Sequence, residues 1–329
     1  MKAIKILTMA ALATAVFASC SSEDELAQSN YPMDNVVRIM TSVDGMNTRA
    51  SYGNSTDKLN SFGFCINNAG NTKYTYDNIK VTKEGNNWNP ATQMLWQNST
   101  TAVDILAYAP YQETTEDATG KVKVFGKTDY AFSVKEDQSN AEDYSSDLIV
   151  YKQTGFTPGT NLNTNQAVNV AFTHLLSQLN LTIELRDQFN QDEKKPVTSA
   201  TVTDVKVDGT FIRSKVNFAA DPISFLRDGQ ASAAITPETV AFKKADKTTD
   251  HATFKYSAIV IPQKVIAGQL CIKFKVDGTD YIWTGTDNAL FESGKKYELH
   301  LLVGKDVVQG GTISATAWGD GGTGSLETD

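Results

Sequence analysis

The sequence has few of the side chains from which catalytic and metal sites are built. Its 329 residues include only three histidines and three cysteines. His174, His251 and His300 are scattered, and none stands at metal-ligand spacing from a cysteine or another histidine. G-x-S-x-G, H-E-x-x-H, the P-loop and G-x-G-x-x-G are absent. The sequence therefore predicts no catalytic residue, no metal site and no cofactor. We do not expect the protein to be an enzyme. His174 directly follows an apolar strand and is predicted to be a hydrogen-bonded interdomain residue.

Basic charge and long apolar stretches are also lacking. The formal net charge is −8, which disfavours nucleic acid as a partner and offers no basic patch to anionic lipid. Beyond residue 25, no apolar run reaches the roughly 20 residues that a membrane-spanning helix needs. We therefore expect the chain after residue 25 to be soluble.

Cysteine is too scarce for a disulfide framework. Only Cys65 and Cys271 follow Cys20, and each lies on the strand parity opposite its apolar neighbours. A disulfide is possible in an exported protein, but we predict two free thiols. Stability must then come from buried apolar surface.

The N-terminus carries an export signal. Two lysines and no acid accompany an apolar run from Ile6 to Phe17, which is typical of a secretory signal and too short for a stable span. The run ends in Phe-Ala-Ser-Cys at residues 17–20, which resembles a bacterial lipobox. We predict that residues 1–19 are removed and that Cys20 becomes the acylated first residue.

The residues after the cysteine favour surface export. Residues 21–25, Ser-Ser-Glu-Asp-Glu, form a polar tether that resembles the signal directing Bacteroidetes lipoproteins to the cell surface. An ordinary signal peptide with a coincidental cysteine is the alternative. Two or more lipid chains give stable anchoring, so we predict an extracytoplasmic lipoprotein of the cell outer membrane.

The apolar pattern predicts an all-β fold. Period-2 or short apolar runs recur between Gly, Asn, Asp and Pro residues. Helical periodicity is scarce, with one candidate turn at residues 173–178. The predicted strands are residues 36–43, 59–66, 74–81, 103–109, 129–134, 147–152, 168–172, 178–185, 200–207, 215–218, 253–261, 269–276, 281–285, 296–302 and 311–317.

The length predicts two domains. Without the signal, about 310 residues exceed what one hydrophobic core usually serves, and many short strands with frequent turns favour β-sandwiches. The boundary is predicted near residue 175. The predicted segments are a tether and first strand at 20–49, an N-terminal sandwich at 50–175, a C-terminal sandwich at 176–318 and a polar tail at 319–329.

Two features admit a second interpretation. The acidic stretch 136–147 could hold Ca²⁺, but it lacks the acid spacing and the glycine of an EF-hand, so a solvated loop is favoured. The pairs Trp88/Trp96 and Tyr108/Tyr111 could line a sugar platform, but packing is favoured. Paired carboxylates could serve a glycosidase, although sequence alone places no two at the required distance.

Short motifs follow one another along nearly the whole chain. They are Thr-Arg-Ala at 48–50, Met-Leu-Trp at 94–96, Asp-Ile-Leu-Ala-Tyr-Ala-Pro-Tyr at 104–111, Asp-Gln at 137–138, Ser-Asp-Leu-Ile at 146–149, the run 170–179, Ile-Val-Ile-Pro-Gln at 259–263, Gly-Lys-Lys-Tyr at 294–297 and a last strand ending near Trp318. Each motif is short, but their joint order resembles the fimbrillin family of Bacteroidetes, the subunits of type V pili.

The resemblance implies a fold and an assembly mechanism. The fold is two tandem transthyretin-like β-sandwich domains. The subunit reaches the outer membrane as a lipoprotein, and a trypsin-like or arginine-specific protease removes its N-terminal segment with the first strand. The vacated groove then accepts a strand from a neighbouring subunit, usually its C-terminal segment.

The predicted processing position is Arg49, with Ala50 as the new N-terminus. Arg49 follows the strand 36–43 and has small and polar neighbours, as in exposed loops where proteolysis concentrates. Arg38 is also a tryptic position, but its apolar strand should shield it. The alternative is that Arg49 is only a linker residue.

The predicted donor strand is the C-terminal segment 307–318. Ile313, Ala315 and Ala317 share one parity, so that face could enter a groove, and residues 310–311 form a Gly-Gly hinge. A donated strand repairs an open sheet edge by β-augmentation. The alternative is that this segment is simply the last strand of the second domain.

These observations favour a structural subunit of cell-surface fimbriae that supports adhesion and has other fimbrial subunits as partners. Two alternatives stay open. One is a subunit that keeps its lipid, as an anchor or as a tip adhesin binding a host ligand or glycan. The other is a secreted glycan-active enzyme, supported only by scattered carboxylates and aromatics.

Overall fold

The computed structural model of the chain is all-β, as the sequence predicts. No helix in its described part is long and apolar enough to cross a membrane. Cys20, Arg49 and Ala50 lie outside the described residues, as does the predicted tail. The structure describes residues 30–43, 52, 56–113, 123–191, 195–227, 232–247, 249–311 and 313–318.

Strands and short helical turns follow one another in chain order. The first strands are β1 Arg38–Val43, β2 Ser61–Asn67, β3 Tyr76–Glu84, β4 Asn87–Pro90, β5 Val103–Ala109, β6 Tyr130–Ser133, β7 Ile149–Phe156 and β8 Ala167–His174. The later strands are β9 Ser177–Leu185, β10 Val202–Asp208, β11 Arg213–Asn217, β12 Ser224–Arg227, β13 Glu238–Lys243, β14 Ala252–Val260, β15 Gln263–Val265, β16 Cys271–Val276, β17 Thr279–Thr284, β18 Ala289–Phe291, β19 Lys295–Val303, β20 Val308–Gly310 and β21 Ser314–Ala317. The helical turns are α1 Pro158–Asn161 and the 3₁₀ turns Thr72–Tyr74 and Asp187–Phe189.

A seven-stranded sheet in the order β1-β8-β7-β5-β2-β3-β4 dominates the first half. The β1–β8 pair is parallel, and the other pairs are antiparallel. The two edge strands, β1 and β4, approach each other, so the sheet curls around its core. Buried side chains of this first core include Val37, Ile39, Phe62, Phe64, Met94, Trp96, Val168, Val170 and Phe172.

The second half builds a larger core from several sheets. A six-stranded sheet has the order β13-β14-β9-β19, and both β20 and β21 pair with the far edge of β19. A three-stranded sheet, β10-β16-β17, contributes to the same core, and the pair β15-β18 lies beside it. The remaining sheet, β12-β11-β6, joins strands from both halves of the chain.

The predicted boundary at residue 175 falls in the turn between β8 and β9. The predicted helical turn at 173–178 is wrong, because β8 runs through His174 and β9 begins at Ser177. One strand pairing crosses the predicted division, because β6, which precedes residue 175, pairs with β11, which follows it.

The central strands of the seven-stranded sheet are buried on both faces. In β5, Ile105 and Ala107 contact the first core, whereas Leu106 and Tyr108 contact the second. A strand covered on both faces needs apolar residues at nearly every position. This explains the almost unbroken apolar run of β5.

Cys65 and Cys271 are both free, as predicted. Cys65 lies on the opposite parity from Phe62 and Phe64, but that face of β2 is covered by the second core. The Cys65 thiol donates to Asp77 over 3.2 Å. Burial raises the pKa of this thiol, and the Asp77 charge adds to the effect.

Candidate assembly site

The first strand is an edge strand that closes the first core. β1 lies parallel to β8, in register from Arg38 opposite Ala167 to Val43 opposite Phe172. The chain before β1 is also held, because Val37 N–H donates to the Met94 carbonyl over 3.0 Å. Removing this strand would open one side of the first core.

The core-facing side of β1 carries one buried hydroxyl group, that of Thr41, which has no partner among the described residues. Val37, directly before β1, and Ile39 within it are 2% and 7% exposed and belong to the first core. Thr41 has the same strand parity, and its Oγ1 is buried without a hydrogen-bond partner among the described residues. A buried, unpaired polar group costs about 1–3 kcal/mol. β1 therefore fits its own groove imperfectly.

Arg38 lies in this strand with its side chain turned outward. Its guanidinium forms a bidentate pair with Asp34, with Nη2 2.6 Å from Oδ2 and Nη1 3.1 Å from Oδ1. The side chain is 41% exposed. The shielding of Arg38 stays a prediction, and only the backbone pairing of β1, not burial of the side chain, would provide it.

A groove runs between β1 and the opposite edge strand β4. Its volume is about 820 Å³, and Val37, Ile39, Trp88 and Met94 are among its lining residues. Trp88 packs edge-on against Phe62, with ring centroids 5.0 Å apart. The groove shows that β1 and β4 do not fully close the curled sheet.

The predicted donor segment forms two edge strands in the described chain. β20 and β21 both run antiparallel to β19, from Val308 opposite Val303 to Ala317 opposite Lys295. Of the predicted donor residues, Ile313 and Ala315 are partly buried against the second core. In this state the segment is the last strand of its own sheet, which is the alternative that the sequence left open.

Trp283 holds the segment near its start. A Cβ atom added at Gly310 would lie only 1.9 Å from the Trp283 Nε1 atom, so the indole occupies the space that any side chain would need. A partly apolar cavity of about 530 Å³ lies beside this contact, and Trp283, Leu290 and Ile313 help to line it.

Trp318 holds the segment at its end. Trp318 is 3% exposed, and its ring stacks on His174, with ring centroids 4.0 Å apart and planes 3° apart. His174 Nδ1 lies 2.9 Å from Asp147 Oδ1. The other carboxylate oxygen of Asp147 accepts the Tyr52 backbone N–H over 2.8 Å. The prediction that His174 is hydrogen-bonded is therefore confirmed.

The prediction of a solvated acidic loop at 136–147 is wrong at several positions. Asp147 is fully buried, and Ser146 and Gln138 are 3% exposed. The Gln138 amide both donates to and accepts from the backbone of Ile259, over 2.9 and 2.7 Å. These contacts tie the loop to β14. The acidic composition of the loop gives no indication of these contacts with β14. The apolar run directly after Asp147, however, indicates that the loop ends in the core.

Burial and charge perturb the pKa values of groups near this junction. Burial raises the pKa of Tyr52 well above its usual range, and the charge on Asp147 adds to the rise. The Tyr52 ring packs on Tyr144, with centroids 5.5 Å apart. Tyr52 is therefore a neutral packing residue at all ordinary pH values.

The other two histidines share one carboxylate. His300 Nε2 lies 2.6 Å from Glu184 Oε2, and His251 Nδ1 contacts Glu184 Oε1. Partial burial works to raise the pKa of Glu184, but the hydrogen bonds from the two histidines lower it. Within the described ranges, no group of three or more His, Cys, Asp or Glu side chains is arranged to hold a metal ion.

The aromatic pairs serve mainly as packing residues, as predicted. Trp96 is 2% exposed and stacks on Phe156, with centroids 5.6 Å apart. Tyr108 is fully buried and donates to Asn78 over 2.7 Å. The pairs therefore form no joint sugar platform.

Three solved structures share this architecture. A candidate cell adhesion protein from Bacteroides uniformis is 20% identical, with a TM-score of 0.54 over 87% of this chain and 99% of its own. A candidate cell adhesion protein from Bacteroides ovatus is 14% identical, with a TM-score of 0.61 over 86% and 97%. A fimbrial protein from Bacteroides vulgatus is 16% identical, with a TM-score of 0.50 over 86% and 99%.

Comparison with curated proteins finds no match. The fimbrillin-like family matches residues 48–318, most of the chain. The chain belongs to the fimbrillin-like family. This fimbrillin-like protein is therefore grouped with structural fimbrial and cell-adhesion subunits, which form cell-surface appendages.

Replacing Gly310 tests how the C-terminal segment is held. In the Gly310→Ala variant the new methyl group would collide with Trp283, so we expect hydrogen exchange in residues 308–318 to become at least tenfold faster. Gly311→Ala is the matched control, because its added Cβ has no neighbour closer than 3.7 Å. Equal exchange in the two variants would show that the Trp283 contact does not hold the segment.

Proposed function

We propose that this fimbrillin-like protein is a fimbrial subunit that polymerises by protease-triggered donor-strand exchange. It is exported as a lipoprotein on Cys20 and carried to the outer membrane. An arginine-specific or trypsin-like protease cuts after Arg49, leaving Ala50 as the N-terminus. The C-terminal segment of a neighbouring subunit then replaces β1. The observation that carries this proposal is the edge position of β1 over the first core.

The energetics of β1 favour replacement rather than simple loss. Burial of one large aliphatic side chain stabilises a fold by about 1.5–3 kcal/mol, so losing Val37 and Ile39 would cost roughly twice that. A subunit without β1 would expose this apolar surface together with an unpaired strand edge, which is a template for another strand. The unpaired hydroxyl of Thr41 makes the packing of β1 on the first core less stable.

The C-terminal segment has the properties that a donor needs. Ile313, Ala315 and Ala317 put only apolar side chains on one parity, so residues 313–317 of the donor carry no counterpart of Thr41. Its strands in the described chain are short, with three residues in β20 and four in β21. They lie at a sheet edge, so they can leave without breaking pairs between other strands.

Matched arginine variants test the processing step. We expect Arg49→Lys to abolish cleavage by an arginine-specific protease and the polymers that follow. Arg38→Lys, which keeps the charge beside Asp34, should be processed and assembled like the wild type. Mass spectrometry should find Ala50 at the N-terminus of assembled material. Acylated Cys20 in fimbriae would instead favour a lipid-retaining anchor or tip subunit, and clean cleavage that yields only monomer would contradict strand exchange.

A Thr41→Val variant tests the imperfect fit of β1. The valine removes the buried hydroxyl, so we expect the free energy of unfolding of the uncleaved monomer to rise by about 1 kcal/mol. Polymerisation after cleavage should be slower than in the wild type, because the donor strand has to displace a better-fitting β1. Thr41→Ser, which keeps the hydroxyl, is the control and should not be stabilised. Chemical denaturation measures the difference, and equal stabilities of the valine and serine variants would count against the imperfect fit.

A synthetic peptide of residues 307–318 tests the donor. Added to freshly cleaved subunits, it should fill the vacated groove and stop polymer growth. An Ile313→Asp peptide should lose this effect, because its charge would face the groove. A Ser314→Asp peptide, changed on the opposite parity, should retain it. If both variant peptides inhibit equally, the assigned inward face is incorrect.

A further inference from the structure

We propose that Asp147 and His174 couple the N-terminal processing step to release of the C-terminal segment. In the uncleaved subunit they keep Trp318 docked, and cleavage loosens it. This inference rests on the proposed strand exchange and names how that exchange is regulated.

Asp147 is the centre of the coupling. It is fully buried, and its two carboxylate oxygens bond different parts of the chain. Oδ2 accepts the Tyr52 N–H over 2.8 Å, and Oδ1 lies 2.9 Å from His174 Nδ1. Tyr52 is the third residue after Arg49. One buried carboxylate therefore links the chain just beyond the proposed cut to His174.

His174 connects Asp147 to the C-terminal segment, because it contacts both Asp147 and Trp318. Its side chain is 1% exposed, and its ring lies parallel to Trp318 at 4.0 Å. The backbone of Trp318 is also fixed, because its N–H donates to the Gly294 carbonyl over 2.9 Å. Any reorientation of the His174 ring would change the surface on which Trp318 is stacked.

A second route reaches His174 through β8. The β1–β8 ladder ends where Val43 stands opposite Phe172, two residues before His174 at the end of the same strand. Loss of β1 would therefore remove the neighbour of β8 close to His174. The two routes meet at one side chain, and both depend on the N-terminal segment.

The direction of the effect follows from the cost of a buried charge. A buried carboxylate is tolerated only while its hydrogen bonds are made. After cleavage Tyr52 would stand near a chain end, where fraying is common, so Asp147 would lose a secure donor. The Asp147–His174 pair would then rearrange, and the stacking of Trp318 would weaken. The donor would be released only in subunits that are ready to accept a strand.

The test is hydrogen exchange of residues 314–318 before and after cleavage, measured on dilute monomer. In the wild type we expect cleavage to speed this exchange at least tenfold. In His174→Phe, which keeps a ring for Trp318 but cannot bond Asp147, cleavage should change it less than twofold. Unchanged exchange in the wild type, or an equal increase in His174→Phe, would overturn the coupling.

Two further arrangements keep the test decisive. Asp147→Asn, close in shape to the native residue, replaces His174→Phe if circular dichroism shows that the latter does not fold, with the same expected loss of coupling. A foreign protease site in place of residues 46–51 allows cleavage even if Arg49 is not processed. Faster exchange without polymers would contradict the proposed strand exchange but keep the coupling, and polymers without faster exchange would do the reverse.

Discussion

The seven-stranded sheet has to be covered on both faces, and most of the structure follows from this requirement. Its central strands carry apolar side chains toward two different cores. The curl that brings β1 and β4 together encloses one face. The other face packs on residues of β6 and of the C-terminal half. The edge strand β1 is thus part of a closed core, and the C-terminal half is bound to the same sheet from its other side.

The apolar pattern of the sequence predicted a strand well where the strand is buried along its whole length. β5 lies at the predicted residues 103–109, because a run buried on both faces is apolar throughout. The pattern missed β4, Asn-Trp-Asn-Pro, because an edge strand without apolar alternation has no period-2 signal. It could not predict that β6 pairs with β11, since that pairing joins segments far apart in sequence and leaves no local trace.

Those parts of the candidate site that depend on local sequence features could also be predicted. The sequence marks Ile313, Ala315 and His174 because strand parity and an adjoining apolar run are local features. It did not reveal Asp147 as a buried residue that accepts a hydrogen bond from Tyr52, which is distant in sequence. Thr41 appeared as an ordinary strand residue, because only its surroundings show that its hydroxyl has no partner among the described residues. Contacts between distant segments decide both cases.

The parallel pairing of β1 with β8 also constrains the order in which the protein folds. β1 is synthesised long before β8, and no other strand of the described chain pairs with β1. Contacts between residues so distant in sequence form late and slow the folding of β proteins. The first of the described strands to leave the ribosome can therefore dock only after β8 has been made. Until it does, the first core stays accessible to any strand that arrives sooner.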